Sequence, residues 1–284
     1  MEEHNIKTIK ITSADYPEML KEITDPPREI NVLGEIGKFR DAPKVAIVGT
    51  RRLTRYGLEA ATNLARELSN MGVIVVSGLA LGIDSAAHKG AIEGGSPTWA
   101  VLGSGLLNIQ PTINRRLAEK VLETDGAIIS EYPHTYPANK WTFPQRNRIV
   151  AGLTKATIVV EAPERSGALI TADLAMQYNR DVGAIPGEIN SINSRGTNTL
   201  IKNGAALIRN AEDVLELIGF ESKTAMIDKL DELENNILRC LDQPQRADEM
   251  TAALNQDISI INQKLSTLEI KGMIKNMAGM FHKV

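Results

Sequence analysis

The chain has 284 residues, 43% hydrophobic and 24% charged, enough for one full α/β core with a smaller unit beside it and too apolar for a disordered tail. Its 32 basic and 35 acidic side chains leave a net charge of -3, which excludes a uniformly basic, histone-like grip on nucleic acid but permits a local basic patch. A single cysteine, Cys240, excludes an intrachain disulfide, and no run approaches the ~18 to 20 apolar residues of a membrane helix.

Residues 1–41 are punctuated by Asp15-Tyr16-Pro17 and Asp25-Pro26-Pro27 and read as a short lead-in packed on the main domain. They open with Met-Glu-Glu-His, which lacks the basic and apolar regions of a signal peptide, so the expected compartment is the cytoplasm. From Ala42 to Phe220, β-branched runs alternate with helical patterns. Strands are expected at 45–48, 73–76, 99–102, 127–129, 157–160, 182–185 and 206–208, and helices at 58–70, 85–93, 114–123, 168–178 and 211–218. This pattern predicts an α/β fold, a Rossmann-like doubly wound and mostly parallel sheet covered on both faces, with ligands beyond the carboxyl ends of the strands.

Residues 221–284 read as a linker and a small winged-helix domain: one amphipathic helix carrying Ile227, Leu230, Leu233, Ile237, Leu238 and Leu241, a second at 247–254, a third at 258–270, then Gly272 and a hairpin around Ala278-Gly279. Split by segment, residues 1–210 carry +2, residues 211–257 carry -8 and the last 27 carry +3. The third helix holds only Lys264, offset by Glu269, so the tail is expected to contact protein rather than read duplex DNA.

The loops after the strands carry the chemistry. Gly49-Thr50-Arg51-Arg52 lacks dinucleotide-fingerprint spacing and offers arginines suited to a polyanion. Ser77, Asp84 and His88 suggest a hydrolase triad, but Asp84 is expected to cap a helix starting at Ser85, with His88 one turn further along and packed. Only 11 residues are aromatic, and Tyr132, Tyr136, Trp141 and Phe143 crowd into one short stretch. There, Lys140, Arg146 and Arg148 interleave with Trp141 and Phe143, the combination of cations and rings that holds a single strand. Trp141 and Arg148 read equally well as a core ring and an internal ion pair. Ser166-Gly167-Ala168 opens a helix whose hydroxyl and free amides suit a phosphate. The histidines and the cysteine show no metal-ligand spacing, so no metal, cofactor or catalytic residue is expected.

Six ordered motifs together resemble the DNA-processing protein A (DprA/Smf) family: Gly-Thr-Arg at 49–51, Ser-Gly-Leu-Ala-x-Gly-Ile-Asp-x-x-Ala-His at 77–88, Ser-Glu-Tyr-Pro at 130–133, Phe-Pro-x-Arg-Asn-Arg-Ile at 143–149, Glu-Ala-x-x-x-Ser-Gly-Ala-Leu-Ile-Thr at 161–171 and Pro-Gly-Glu at 186–188. The resemblance implies a protein, not an enzyme, that binds single-stranded DNA without base specificity, protects it as it enters the cell in natural transformation and loads RecA recombinase onto it. By the same resemblance Gly49, Thr50, Arg51, Ser166 and Gly167 form a phosphate pocket, Lys140 meets backbone phosphate, Phe143 lies against bases, and the Rossmann domain forms a homodimer. One departure is Gly105-Leu-Leu-Asn-Ile-Gln-Pro111, where the family usually has an aspartate and then Tyr-Pro. The alternative is a nucleotide-binding hydrolase of the lysine-decarboxylase-like phosphoribohydrolase type, which expects Pro-Gly-Gly-x-Gly-Thr-x-x-Glu where this chain has Glu161-Ala-Pro-Glu-Arg-Ser-Gly.

Overall fold

In chain order the elements are β1 (Lys7–Lys10), α1 (Glu18–Lys21), β2 (Glu29–Gly34), β3 (Lys44–Val48), α2 (Arg55–Asn70), β4 (Ile74–Ser77), α3 (Ile83–Gly94) and β5 (Thr98–Val101). They continue with α4 (Arg115–Glu123), β6 (Ala127–Ser130), α5 (Thr142–Gly152), β7 (Ala156–Val159), α6 (Gly167–Gln177), β8 (Asp181–Ala184), α7 (Arg195–Lys202), β9 (Ala206–Leu207) and α8 (Ala211–Leu217). This computed structural model describes residues 6–220, 231–270, 273–277 and 279–283, and the chain divides into two units, Met1–Phe220 and Glu221–Val284.

All seven expected strands form, each within a residue or so of its expected bounds. With β1 and β2 they form one sheet in the order β1-β2-β6-β5-β4-β3-β7-β8-β9. The sheet is parallel from β6 through β9, and β2 and β1 are added antiparallel at the β6 edge. Every residue of β3 is buried, as a strand covered on both faces requires. Alternate side chains diverge: Val45 and Ile47 join a core with α2, α3 and α8, while Ala46 and Val48 join the opposite core with α1, α5 and α6.

Two differences from the sequence reading matter. The proline-punctuated segment is part of the sheet rather than a lead-in laid on it. Its prolines confine helix to the single turn α1, but they leave Glu29–Gly34 free to pair with β6, and buried Tyr16 closes the segment by donating its hydroxyl to the Pro27 carbonyl at 2.7 Å. The basic, aromatic stretch is no open loop either, since Thr142–Gly152 is helical. Pro144 falls in its first turn, where a missing N–H costs nothing.

In the second unit, α9 (Glu232–Cys240), α10 (Ala247–Leu254) and α11 (Ile258–Ile270) precede a ribbon of β10 (Ile274–Met277) and β11 (Met280–Lys283). Ile237, Leu241, Met250, Ile261, Leu265 and Leu268 form its core. A reciprocal capping box between Asp231 and Glu234 starts α9. Ile227, Leu230, Gly272 and Ala278 of the expected tail lie outside the described residues. Among the described residues no helix is long and apolar enough to cross a membrane.

Helices α2 and α3 approach closely because α3 carries glycines on the facing side. A Cβ on Gly90 would press into the Thr62 carbonyl and stand 2.9 Å from its carbon. In an open helix Gly→Ala gains up to about 1 kcal/mol, but here overpacking against backbone reverses the sign. Gly90→Ala is expected to lose about 1–3 kcal/mol in urea unfolding; a gain in stability would show that the two helices separate without cost.

Candidate nucleic-acid interface

Strand β3 has β4 on one side and β7 on the other, so the chain crosses to opposite halves of the sheet from this point. Such a topological switch opens a crevice beyond the carboxyl ends of the strands. A cavity of about 430 Å³ lies there, lined by Gly49, Thr50 and Arg51 after β3, Gly78 and Ala80 after β4, Arg165, Ser166, Gly167 and Ala168 after β7, and Lys140, Phe143, Pro144, Arg146, Asn147 and Val150 at and along α5.

The first loop is held from behind by one carboxylate. Buried Glu161 accepts from the Thr54 amide at 2.9 Å and the Thr54 hydroxyl at 2.6 Å, and its own carbonyl accepts from the Thr50 amide at 2.7 Å. Position 49 must be glycine, because a Cβ would stand 2.5 Å from Ile83 Cγ1 and 2.9 Å from the Glu161 carbonyl. At Gly167, by contrast, a Cβ would meet nothing within 4 Å. Packing does not require glycine there; its absent side chain leaves the first turn of α6 open, where amides lack helical partners and favour an anion. The Ser166 hydroxyl caps that helix on the Ala168 amide at 3.3 Å.

The floor is a buried charge pair arranged around one residue. Arg146, 4% exposed, donates to the Gly78 carbonyl at 2.5 Å and to the Val101 carbonyl. Asp84 accepts from the Gly78 amide at 3.1 Å and the Ala80 amide at 3.4 Å. Burial pushes the Asp84 carboxyl up, against the opposing pull of Arg146 and those amides. Asp84 therefore fastens the preceding loop rather than capping its own helix, which starts at Ile83 after Gly82. No triad forms: Ser77 donates to the Ile47 carbonyl at 2.7 Å, and His88 Nδ1 lies 2.8 Å from the Thr98 hydroxyl. That hydroxyl donates onward to the Val75 carbonyl at 2.7 Å, so it accepts from Nδ1–H, and buried Nε2 has no partner among the described residues.

The crevice brings together Gly49, Thr50, Arg51, Lys140, Phe143, Arg146, Ser166, Gly167 and Ala168 from the sequence reading. It does not bring Arg52 or Arg148. Arg52 is exposed outside the lining, with its carbonyl accepting from Asn193 at 2.9 Å. Arg148 is the correction: 8% exposed, it pairs with Glu131 at 2.6 Å and Asp25 at 3.6 Å, joining α5 to the amino-terminal segment. Trp141 is 55% exposed and stands edge-on to Tyr132 and Tyr136, outside the lining. Sequence reasoning missed Arg165 as a site residue, although its place directly before Ser166 at a helix start was a usable signal. Among the described residues none of Arg51, Lys140 and Arg165 forms an ion pair, all three are exposed, and the Arg51 guanidinium lies 5.0 Å from the Phe143 ring centre. Glu161, the carboxylate nearest in sequence to the hydrolase alternative, is consumed in holding Thr54. Among the described residues no cluster of His, Cys, Asp or Glu could hold a metal ion.

The structure is an α/β protein with a Rossmann-like sheet and no dinucleotide fingerprint, whose switch point carries an open helix start, a ring and exposed cations that form no ion pair among the described residues. The sequence model of the DNA recombination-mediator protein A family matches residues 7–219, and the chain belongs to that family. It is 41% identical over 220 residues to protein Smf of Escherichia coli K12, covering 78% of this chain and 59% of that protein. It is 39% identical over 214 residues to DNA processing protein DprA of Bacillus subtilis 168, covering 75% and 72%. Among solved structures, DprA from Streptococcus pneumoniae superposes with a TM-score of 0.70 at 40% identity, covering 76% of this chain and 75% of that one. A structure of DprA from Helicobacter pylori concerned with its single-stranded DNA binding mode gives 0.67 at 32% identity, covering 78% and 96%.

His88 supplies a pH signature. Burial, reinforced by Arg146, lowers its pKa from 6.5 to about 3. The unfolded chain therefore binds more protons between those values, and folding stability falls as pH drops through that window by up to about 1.4 kcal/mol per pH unit. Urea unfolding between pH 7 and 4 is expected to decline less steeply in His88→Gln than in the parent; equal slopes would mean the ring is charged or exposed in the fold.

Proposed function

We propose that this chain binds single-stranded DNA in the switch-point crevice, protects the incoming strand and loads RecA recombinase onto it in natural transformation and recombination. The observation that carries the DNA-binding part is the set of unpaired cations around a ring: Arg51, Lys140 and Arg165 face phosphate, while Phe143 offers a stacking surface. Both kinds of contact tolerate any base. The family's description as a recombination mediator, and the binding mode studied in the Helicobacter pylori relative, support the same reading. Binding and handing over a strand require no bond chemistry, so no catalytic residue is assigned. A homodimer through the Rossmann unit would let one strand span two crevices, and the expected compartment is the cytoplasm.

The second unit fits a winged helix, with three helices followed by a ribbon. Its role is assigned to protein contact, because Lys264 on α11 is already paired with Asp231 and Glu234 and leaves little charge for a duplex groove.

Binding to an oligothymidine is expected to weaken steeply with salt and to exceed binding to duplex of the same length; equal affinity for the two forms would overturn the reading. Arg51→Ala and Lys140→Ala should each flatten the log–log salt dependence by about 0.7, the value of one single-strand phosphate contact. Phe143→Ala should keep the slope and lose about 1–3 kcal/mol of affinity, as for one unstacked base. Normal binding by Phe143→Ala in an anisotropy titration would reassign the ring to packing.

A further inference from the structure

The chain has two tryptophans, and they differ in kind. Trp99 is buried in the core, whereas Trp141 is 55% exposed, so packing does not account for the choice of so large a ring. Its position is nonetheless fixed. The turn that carries it is closed by buried Thr142, whose hydroxyl accepts from the Asn139 amide at 3.1 Å and donates to the Asn139 carbonyl at 2.8 Å. The indole lies 6.3 Å from the Tyr132 ring centre and 6.4 Å from that of Tyr136, steeply inclined to both, and the two tyrosines stack on each other at 5.1 Å. Tyr132 donates its hydroxyl to the Gln145 side-chain oxygen at 3.0 Å, which ties the stack to α5. The result is a braced ring with more than half of its surface left to solvent.

We propose that Trp141 is a second stacking platform, outside the crevice, for a base further along the strand than the nucleotide held within it. The proposal rests on the single-strand reading above and extends its footprint onto the segment between β6 and α5. Placement is the first argument. Trp141 directly follows Lys140, which lines the crevice, and neighbouring Cα atoms are ~3.8 Å apart, so a strand leaving past Lys140 runs onto the indole. Charge is the second, because the sequence from Tyr132 to Val160 contains no Asp or Glu, and no carboxylate of this segment opposes phosphate beside the ring. Chemistry is the third. An indole beside a lysine pairs a broad π face with a cation, the combination that suits an unstacked nucleotide of any base. A ring already held by its neighbours loses little freedom when a base lies on it.

The test measures intrinsic fluorescence and affinity of the full chain with oligothymidines of increasing length, in the parent, Trp141→Leu and Trp141→Phe. Leucine keeps apolar bulk against the tyrosines but offers no π face, and phenylalanine restores a ring. Because Trp99 is buried, a change of emission on saturation reports Trp141. The parent is expected to be quenched by oligomers long enough to pass beyond the crevice and to gain affinity over the same range of lengths. Trp141→Leu should bind the shortest oligomers as the parent does and lose about fivefold or more with the longer ones at an unchanged salt slope, and Trp141→Phe should recover most of that loss. Parent-like affinity of Trp141→Leu at every length overturns the platform, as does an equal loss at every length, which would place the effect inside the crevice. If circular dichroism shows Trp141→Leu unfolded, parent emission unchanged at saturation overturns it alone. A parent that binds no oligothymidine rejects the single-strand reading itself, an outcome distinct from normal binding that is indifferent to Trp141.

Discussion

The buried guanidinium of Arg146 is the contact on which the crevice depends. A charge taken out of water is tolerated only when its donors are satisfied, and here they reach backbone carbonyls after β4 and at the end of β5, next to the Asp84 carboxylate. Gly78 is gripped from both sides, by Asp84 at its amide and by Arg146 at its carbonyl, and a Cβ there would run into the guanidinium. Helix α5 is thereby fixed against the sheet. Phe143 sits three residues before Arg146, on the neighbouring turn of the same helical face, so anchoring the arginine also sets the ring at the mouth.

Glu161 does for the opposite wall what Arg146 does for the floor. By holding Thr54 and Thr50 it fixes the path of the Arg51 loop, while that arginine lies over the Phe143 ring. The backbone of this loop is thus held in place by contacts within the protein, which lowers the conformational cost of any binding there. Buried charged residues thus do the positioning, and exposed ones are left free to contact the ligand.

Much of this was legible in the sequence because a parallel sheet buried on both faces must be written in short β-branched runs, as at Val45 to Val48. The same rule explains what was illegible. Helix α5 turns Arg146 and Arg148 inward, so its apolar periodicity is weak and the segment reads as a solvated loop. Strand β2 was hidden by the prolines that precede it, which mark a turn but do not forbid a strand after it. In the site, the glycines and arginines after β3 and β7 pointed to loops that line the switch-point crevice. They could not separate Arg51 from Arg148, because that distinction lies in Glu131, seventeen residues earlier in the chain and adjacent only once the sheet forms.

The ends of the sheet carry a consequence of another kind. An open sheet offers unpaired backbone at both margins, and long flat margins recruit further strands into fibres. Here one margin, β9, is only two residues long, and the other, β1, exposes Lys7 and Lys10. A two-residue margin at one side and lysines at the other oppose edge-to-edge growth of the sheet.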